Sequence, residues 1–160
     1  MSIIRKLKLL MSYDIRTIAL LVEATFYMGW ARYQLLYRPF PGLAARLGEP
    51  MKETGYEENE TRRKELARIR QALKLMSGHT FWESKCLVRA VAGLKMLERR
   101  GIESTLYLGT AKNETGGMIA HAWLRSGPWY ITGAEEMNLF TVTGKFARSM
   151  AFKGRRAMKV

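Results

Sequence analysis

The sequence predicts an α+β fold: a helical N-terminal part, followed by a Cys-bearing helix packed on a small antiparallel sheet. Three observations predict it. Helix-period apolar patterns occupy most of the chain before Gly101, the strand-like runs all follow that glycine, and Ser126-Gly127-Pro128 joins two of those runs as a hairpin. With 160 residues, 48% of them hydrophobic, the chain has room for one compact domain with a real core.

The elements follow in order. Ile15 to Leu36 reads as one helix, with Ile18, Leu21, Val22, Phe26, Trp30 and Tyr33 as the stripe expected to pack on the rest of the protein. Glu23 and Arg32 fall inside it, and each would cost ~3 kcal/mol at a bilayer midplane, so a buried or interfacial helix is expected rather than a membrane span. Arg38-Pro39-Phe40-Pro41-Gly42 stops the helix, because each proline removes a donor and disfavours helix in the residue before it. A short helix from Leu43 to Leu47 ends at Gly48. Glu49 to Glu60 is polar and acidic, carries Pro50 and Gly55, and reads as a linker, dividing an N-terminal helical region, 1–60, from a core, 61–160.

Thr61 to Met76 is the next helix, with Leu66, Ile69, Leu73 and Met76 inward and Arg62, Arg63, Lys64, Arg68, Arg70 and Lys74 forming a basic outer face. Thr80 and Glu83 have capping-box spacing and open another helix, which runs to about Arg100 and is apolar almost all round. Ser104 to Gly109, Ala120 to Arg125 and Trp129 to Thr132 are strands, with a further one predicted from Phe140 to Phe146. Pairing across the hairpin sets Trp123 opposite Thr132 and His121 opposite Ala134, with Thr132 diagonal to His121 on one face.

A formal charge of +13 and a pI near 10.2 favour anionic partners: phosphate, anionic lipid or acidic peptide. One cysteine cannot make an internal disulfide or a Cys-based zinc site, and two histidines with a lone aspartate, Asp14, do not make a metal cage, so no metal and no cofactor are expected. Arg5, Lys6 and Lys8 make Met1 to Leu10 a basic amphipathic stretch. No small-residue cleavage site follows it, which points to a cytoplasmic protein with membrane-surface association open to Met1 to Leu36.

Two residues carry the chemistry. Cys86 lies about one turn inside the apolar helix, where free amides and the positive end of the helix dipole favour a thiolate. His121 lies near the start of a strand, beside the glycine-bearing loop Asn113 to Gly117, and a histidine there can take a thiol proton and later protonate a leaving amine. The other histidine, His79, precedes the Cys helix in a turn and is the weaker choice of base. A third member would orient the imidazole. Thr132, a backbone carbonyl near Gly133, Glu135 and Glu136 are the options, with Thr132 preferred. A cysteine on a helix followed by a histidine on a strand is the papain-like order.

The run Trp82, Glu83, Ser84, Lys85, Cys86, with Arg89 and Ala90 after it, then Arg99-Arg100-Gly101-Ile102 with Leu106 to Gly109, then Ala120-His121-Ala122-Trp123, resembles the transglutaminase-like leader peptidases of lasso-peptide biosynthesis. The Pro39 to Gly42 break and the small helix ending in Leu47-Gly48 are similar too. The resemblance implies a papain/transglutaminase-like core and a cysteine protease that cuts the leader from a ribosomally made precursor, with Cys86 as nucleophile and His121 as base. It also implies two partners besides the precursor's leader region: a small winged-helix-like leader-binding protein and a separate asparagine-synthetase-like cyclase. The family's usual third residue is an Asp after the His strand, and this sequence has none there. Other readings of the same residues are a transglutaminase-like acyltransferase, a basic nucleic-acid-binding domain or a membrane-surface protein. Nucleic acid is not the expected partner, because no recognition motif accompanies the charge.

Overall fold

A computed structural model describes residues 13–79 and 86–151. Within them the chain runs α1 (Ile15–Tyr37), α2 (Phe40–Leu47), β1 (Glu49–Pro50), α3 (Glu60–Ser77), α4 (Cys86–Arg99), β2 (Ser104–Lys112), β3 (Met118–Ser126), β4 (Trp129–Thr132), a 3-10 turn (Met137–Leu139) and β5 (Thr141–Arg148). The sheet order is β1-β5-β2-β3-β4, antiparallel throughout. The α+β expectation holds. The capping box at Thr80 and Glu83 lies outside the described residues.

Helices form one layer over one sheet face. α4 packs on β2, β3 and β4, and α1 packs on α3 and α4. Gly93 lets this layer close: a Cβ there would stand 2.8 Å from Leu124 Cδ2 and 3.0 Å from Leu73 Cδ1, so a larger residue forces those two leucines to repack. Leu21, Ala24, Met28 and Ala31 of α1 join the same core as Ile69, Leu73, Val91, Leu94, Leu106 and Leu124. α3 starts at Asn59, whose side-chain oxygen accepts from Thr61 N at 3.1 Å.

The packed face of α1 differs from the predicted stripe. Leu21 is buried, but Val22, Phe26 and Tyr33 are 64%, 64% and 57% exposed, while Ala24, Met28 and Ala31 are buried. The helix is apolar on two sides, and the side bearing two alanines allows the closer approach. Glu23, the one acid in α1, has a specific partner: its carboxylate takes two hydrogen bonds from Arg100, at 2.8 and 2.6 Å, tying α1 to the end of α4.

The segment read as a linker is built into the fold. Its first residues pair with β5, Glu49 opposite Ala147 and Pro50 opposite Phe146. The next ones cover the sheet face away from the helices, where Thr54 N donates to Thr105 Oγ1 at 2.9 Å. Arg125, fully buried, clamps the cover. Its guanidinium donates to Thr54 O (2.9 Å), Gly55 O (3.1 Å), Gly127 O (2.6 Å) and Tyr107 Oη (2.9 Å), and it lies 3.7 Å from the centre of the Tyr56 ring.

Burial pushes the Tyr107 hydroxyl up from 10.0 to about 12, against the opposing pull of Arg125. The neutral phenol is therefore the form the fold selects. Stability is expected to be unaffected below pH 10 and to fall by roughly 2–3 kcal/mol as pH rises from 10 to about 12. Denaturant melts across that window, with phenolate absorbance read in parallel, check it.

Candidate active site

α4 and β2 are joined by the tight turn at Arg100 to Glu103, where Gly101, at φ +64°, takes the left-handed conformation that ends a helix. The 14 residues of α4 span about 21 Å. Ser104 to Gly109 covers about 17 Å, so the start of α4 returns to the level of Gly109, which pairs with His121 across the ladder. Cys86, the first described residue of α4 and half-buried, is thus brought to the same end of the helix and sheet layers as His121. Among the described residues no hydrogen bond joins the two.

His121 leaves β3 on the same face as Trp123 and Arg125, while Ala122 and Leu124 point to α4. Its ring sits in a stack: centroids lie 5.8 Å from Trp123 and 5.0 Å from Phe140, and Trp123 stacks on Tyr107 at 5.5 Å with the planes 9° apart. Gly109 makes room. A Cβ there would come within 2.9 Å of both the Trp123 ring and Phe140 Cβ. His121 Nε2 lies 2.8 Å from the carbonyl oxygen of Gly133. A carbonyl only accepts, so Nε2 carries the proton in this hydrogen bond and Nδ1 is left as the basic nitrogen of the neutral ring.

The hairpin register corrects the one expected. Thr132 pairs with Leu124, not Trp123, because the ladder shifts by a bulge between Leu124 and Arg125, and Arg125 pairs with Tyr130. The extra residue, Ile131, is buried near Gly93 in the helix-side core. β4 ends at Thr132, so Ala134 does not pair with His121. Thr132 Oγ1 is buried with no hydrogen-bond partner among the described residues, and the bond to His121 comes from the next residue's backbone instead.

Gly133 is held at φ +73°, and a Cβ on it would stand 2.5 Å from Ala122 O, 2.9 Å from Trp123 Cβ and 3.1 Å from His121 Nε2. Gly133→Ala is expected to cost about 2–4 kcal/mol, from left-handed strain plus overpacking against a backbone oxygen, and to move the carbonyl off the imidazole. Thermal unfolding, with the His121 ring protons followed by NMR, checks both effects.

The remaining sequence candidates lie elsewhere. His79 Nδ1 is 2.8 Å from Leu75 O at the end of α3, exposed, and Glu135 and Glu136 are exposed in the turn after β4. Trp129 lies under Arg63, with the guanidinium 5.0 Å from its ring centre, while Trp82 is outside the described residues. A cleft of about 540 Å³ opens at the far end of the sheet between Thr54, Glu57, Asn59, Arg62, Ile102 and Trp129, and neither Cys86 nor His121 lines it. The period-2 spacing of His121 and Trp123 was the one sequence signal for the ring stack. Phe140 and Tyr107 reach it only through pairing and the 3-10 turn.

Among the described residues no group of three or more His, Cys, Asp or Glu side chains could hold a metal ion, and no helix is long and apolar enough to cross a membrane. No curated protein and no solved structure matches the chain. Residues 31–144, well over half of the chain, match the transglutaminase-like superfamily. That span holds Cys86 on α4 and His121 on β3, which lie on opposite faces of the sheet at one end of it, and a transglutaminase-like domain fits the cysteine-dependent protease and acyltransferase enzymes. The chain belongs to the transglutaminase-like superfamily.

Proposed function

We propose that this protein is a cysteine protease that removes the leader from a lasso-peptide-type precursor, with Cys86 as nucleophile and His121 as general base and acid. The observation that carries the reading is the hydrogen bond between His121 Nε2 and Gly133 O, at 2.8 Å, which fixes the ring and leaves Nδ1 as its basic nitrogen. A neutral carbonyl fixes the tautomer, as the expected aspartate would, but adds no charge stabilisation to the imidazolium.

The chemistry runs as follows. In this reading His121 Nδ1 takes the Cys86 proton around the shared end of the sheet, and the thiolate attacks the carbonyl carbon of the leader-core bond. Amides at the head of α4, that of Cys86 included, receive the oxyanion. The intermediate collapses, the C–N bond breaks, and His121 gives its proton to the departing amine, the new N-terminus of the core peptide. Water, deprotonated by His121, then cleaves the thioester and frees the leader as a carboxylic acid. In this reading Thr132 supports the turn that carries Gly133 rather than touching the imidazole. Arg63, Lys64, Arg68, Arg70 and Lys74 on the exposed side of α3 suit an acidic leader or the acidic surface of the winged-helix-like leader-binding protein, with the cyclase acting on the released core.

The test is incubation of the purified chain with its precursor and the leader-binding protein, followed by mass spectrometry. The expected result is two fragments whose masses sum to the precursor plus one water. An intact precursor with all components present overturns the proposal. A leader joined to an added amine, with no free acid, replaces it with acyl transfer on the same cysteine.

A further inference from the structure

α1 has a second apolar side that the fold leaves uncovered. Ile15, Val22, Phe26, Tyr33, Leu36 and Tyr37 are all exposed, and at ~100° per residue they fall on one stripe opposite Ala24, Met28 and Ala31. The stripe is about 33 Å long. Phe40, at the start of α2 past the Pro39 break, is also exposed. It is a ridge on a single helix, not a groove. A rigid partner with a flat face would bury only its crest, whereas a headgroup layer moulds round it.

The charges around the ridge name the occupant. Arg16 and Arg38, both exposed, stand at its two ends, the first beside the exposed N-cap carboxylate of Asp14, and the sole carboxylate within α1, Glu23, is turned inward to Arg100. In the sequence, Arg5, Lys6 and Lys8 lie upstream of the helix among Ile3, Ile4, Leu7, Leu9 and Leu10. A second copy of a chain with formal charge +13 would be repelled. Aromatic and aliphatic side chains flanked by arginines match an anionic lipid surface, with tyrosines at headgroup level and arginines on lipid phosphates. We infer that α1 is a membrane-surface helix, which docks the protein through its outer stripe on anionic lipid without crossing the bilayer. The inference is independent of the proposed chemistry, since Cys86 takes no part in it.

Flotation of the full chain with phosphatidylcholine vesicles, with and without phosphatidylglycerol, tests it. The chain is expected to float with the mixed vesicles and not with phosphatidylcholine alone. The triple variant Val22→Gln, Phe26→Gln, Tyr33→Gln is expected to bind the mixed vesicles about tenfold or more weaker, with an unchanged melting temperature because the three side chains are exposed. The pair Arg16→Gln, Arg38→Gln should weaken binding through charge alone. No binding to the mixed vesicles overturns the inference. So does equal binding by the triple variant, which would leave only diffuse electrostatics. A dimer of the parent chain that the triple variant abolishes, without vesicle binding, would instead assign the ridge to a second copy.

Discussion

Cys86→Ala is expected to lose precursor cleavage by more than about 10³-fold, because the thioester route has no substitute nucleophile in a chain with a single cysteine. The side chain is half-buried at a helix start, so its truncation is expected to cost under about 1 kcal/mol, and the melting curve should barely move. A companion variant separates nucleophile from base. In His121→Gln the amide can still donate toward Gly133 O, but no basic nitrogen remains, and a loss of comparable size is expected without added damage in the double variant. Alkylation of Cys86 at neutral pH gives an independent readout. It should slow in His121→Gln if the imidazole takes the thiol proton. Cleavage that survives in Cys86→Ala ends the protease assignment, and alkylation indifferent to His121 ends the pairing.

Arg125→Met is expected to destabilise the protein by about 3–5 kcal/mol, a large share of the stability of a domain this size. The methionine fills most of the space, but the carbonyls of Thr54, Gly55 and Gly127 and the hydroxyl of Tyr107 lose their donor. Arg125→Lys should recover only part of this, because an ammonium cannot present the fork that meets acceptors on three sides. The damage should be local first: residues 51–59 lose their anchor, so limited proteolysis is expected to nick there before the core unfolds. Denaturant titration measures the total, and fragment mapping the location. A variant as stable as the parent would mean that water replaces the guanidinium at each acceptor.

Helices were the legible part of this fold because their signals are local. Leu66, Ile69 and Leu73 keep helical period, and Pro39 and Gly101 mark boundaries that the structure respects. The face of α1 was not legible, because Val22, Phe26 and Tyr33 are as apolar as Leu21 and Met28, and only the tertiary neighbours choose between the sides. β1 looked like linker for a related reason: its partner is β5, almost a hundred residues on, and backbone pairing leaves little trace in composition. The bulge that moved Thr132 away from Trp123 follows from burying Ile131, a choice made by the core rather than by the turn. At the candidate site, Cys86 and His121 are expected from residue type and order alone. The Gly133 carbonyl stood among the options, and it is the left-handed turn after β4, not the side chain of Thr132, that aims an acceptor at the ring. Arg125 gave no warning, since an arginine at the end of a strand ordinarily faces water.

The place of β5 in the sheet has a consequence for synthesis. Of the described strands it is the last to leave the ribosome, yet it lies in the interior of the sheet, between β1 and β2. Until it emerges, β2 is a bare edge carrying unpaired amides beside Leu106, and a nascent chain or a product truncated before Thr141 presents that edge to its neighbours. Premature termination therefore yields a sticky template for intermolecular β-pairing rather than a smaller folded protein.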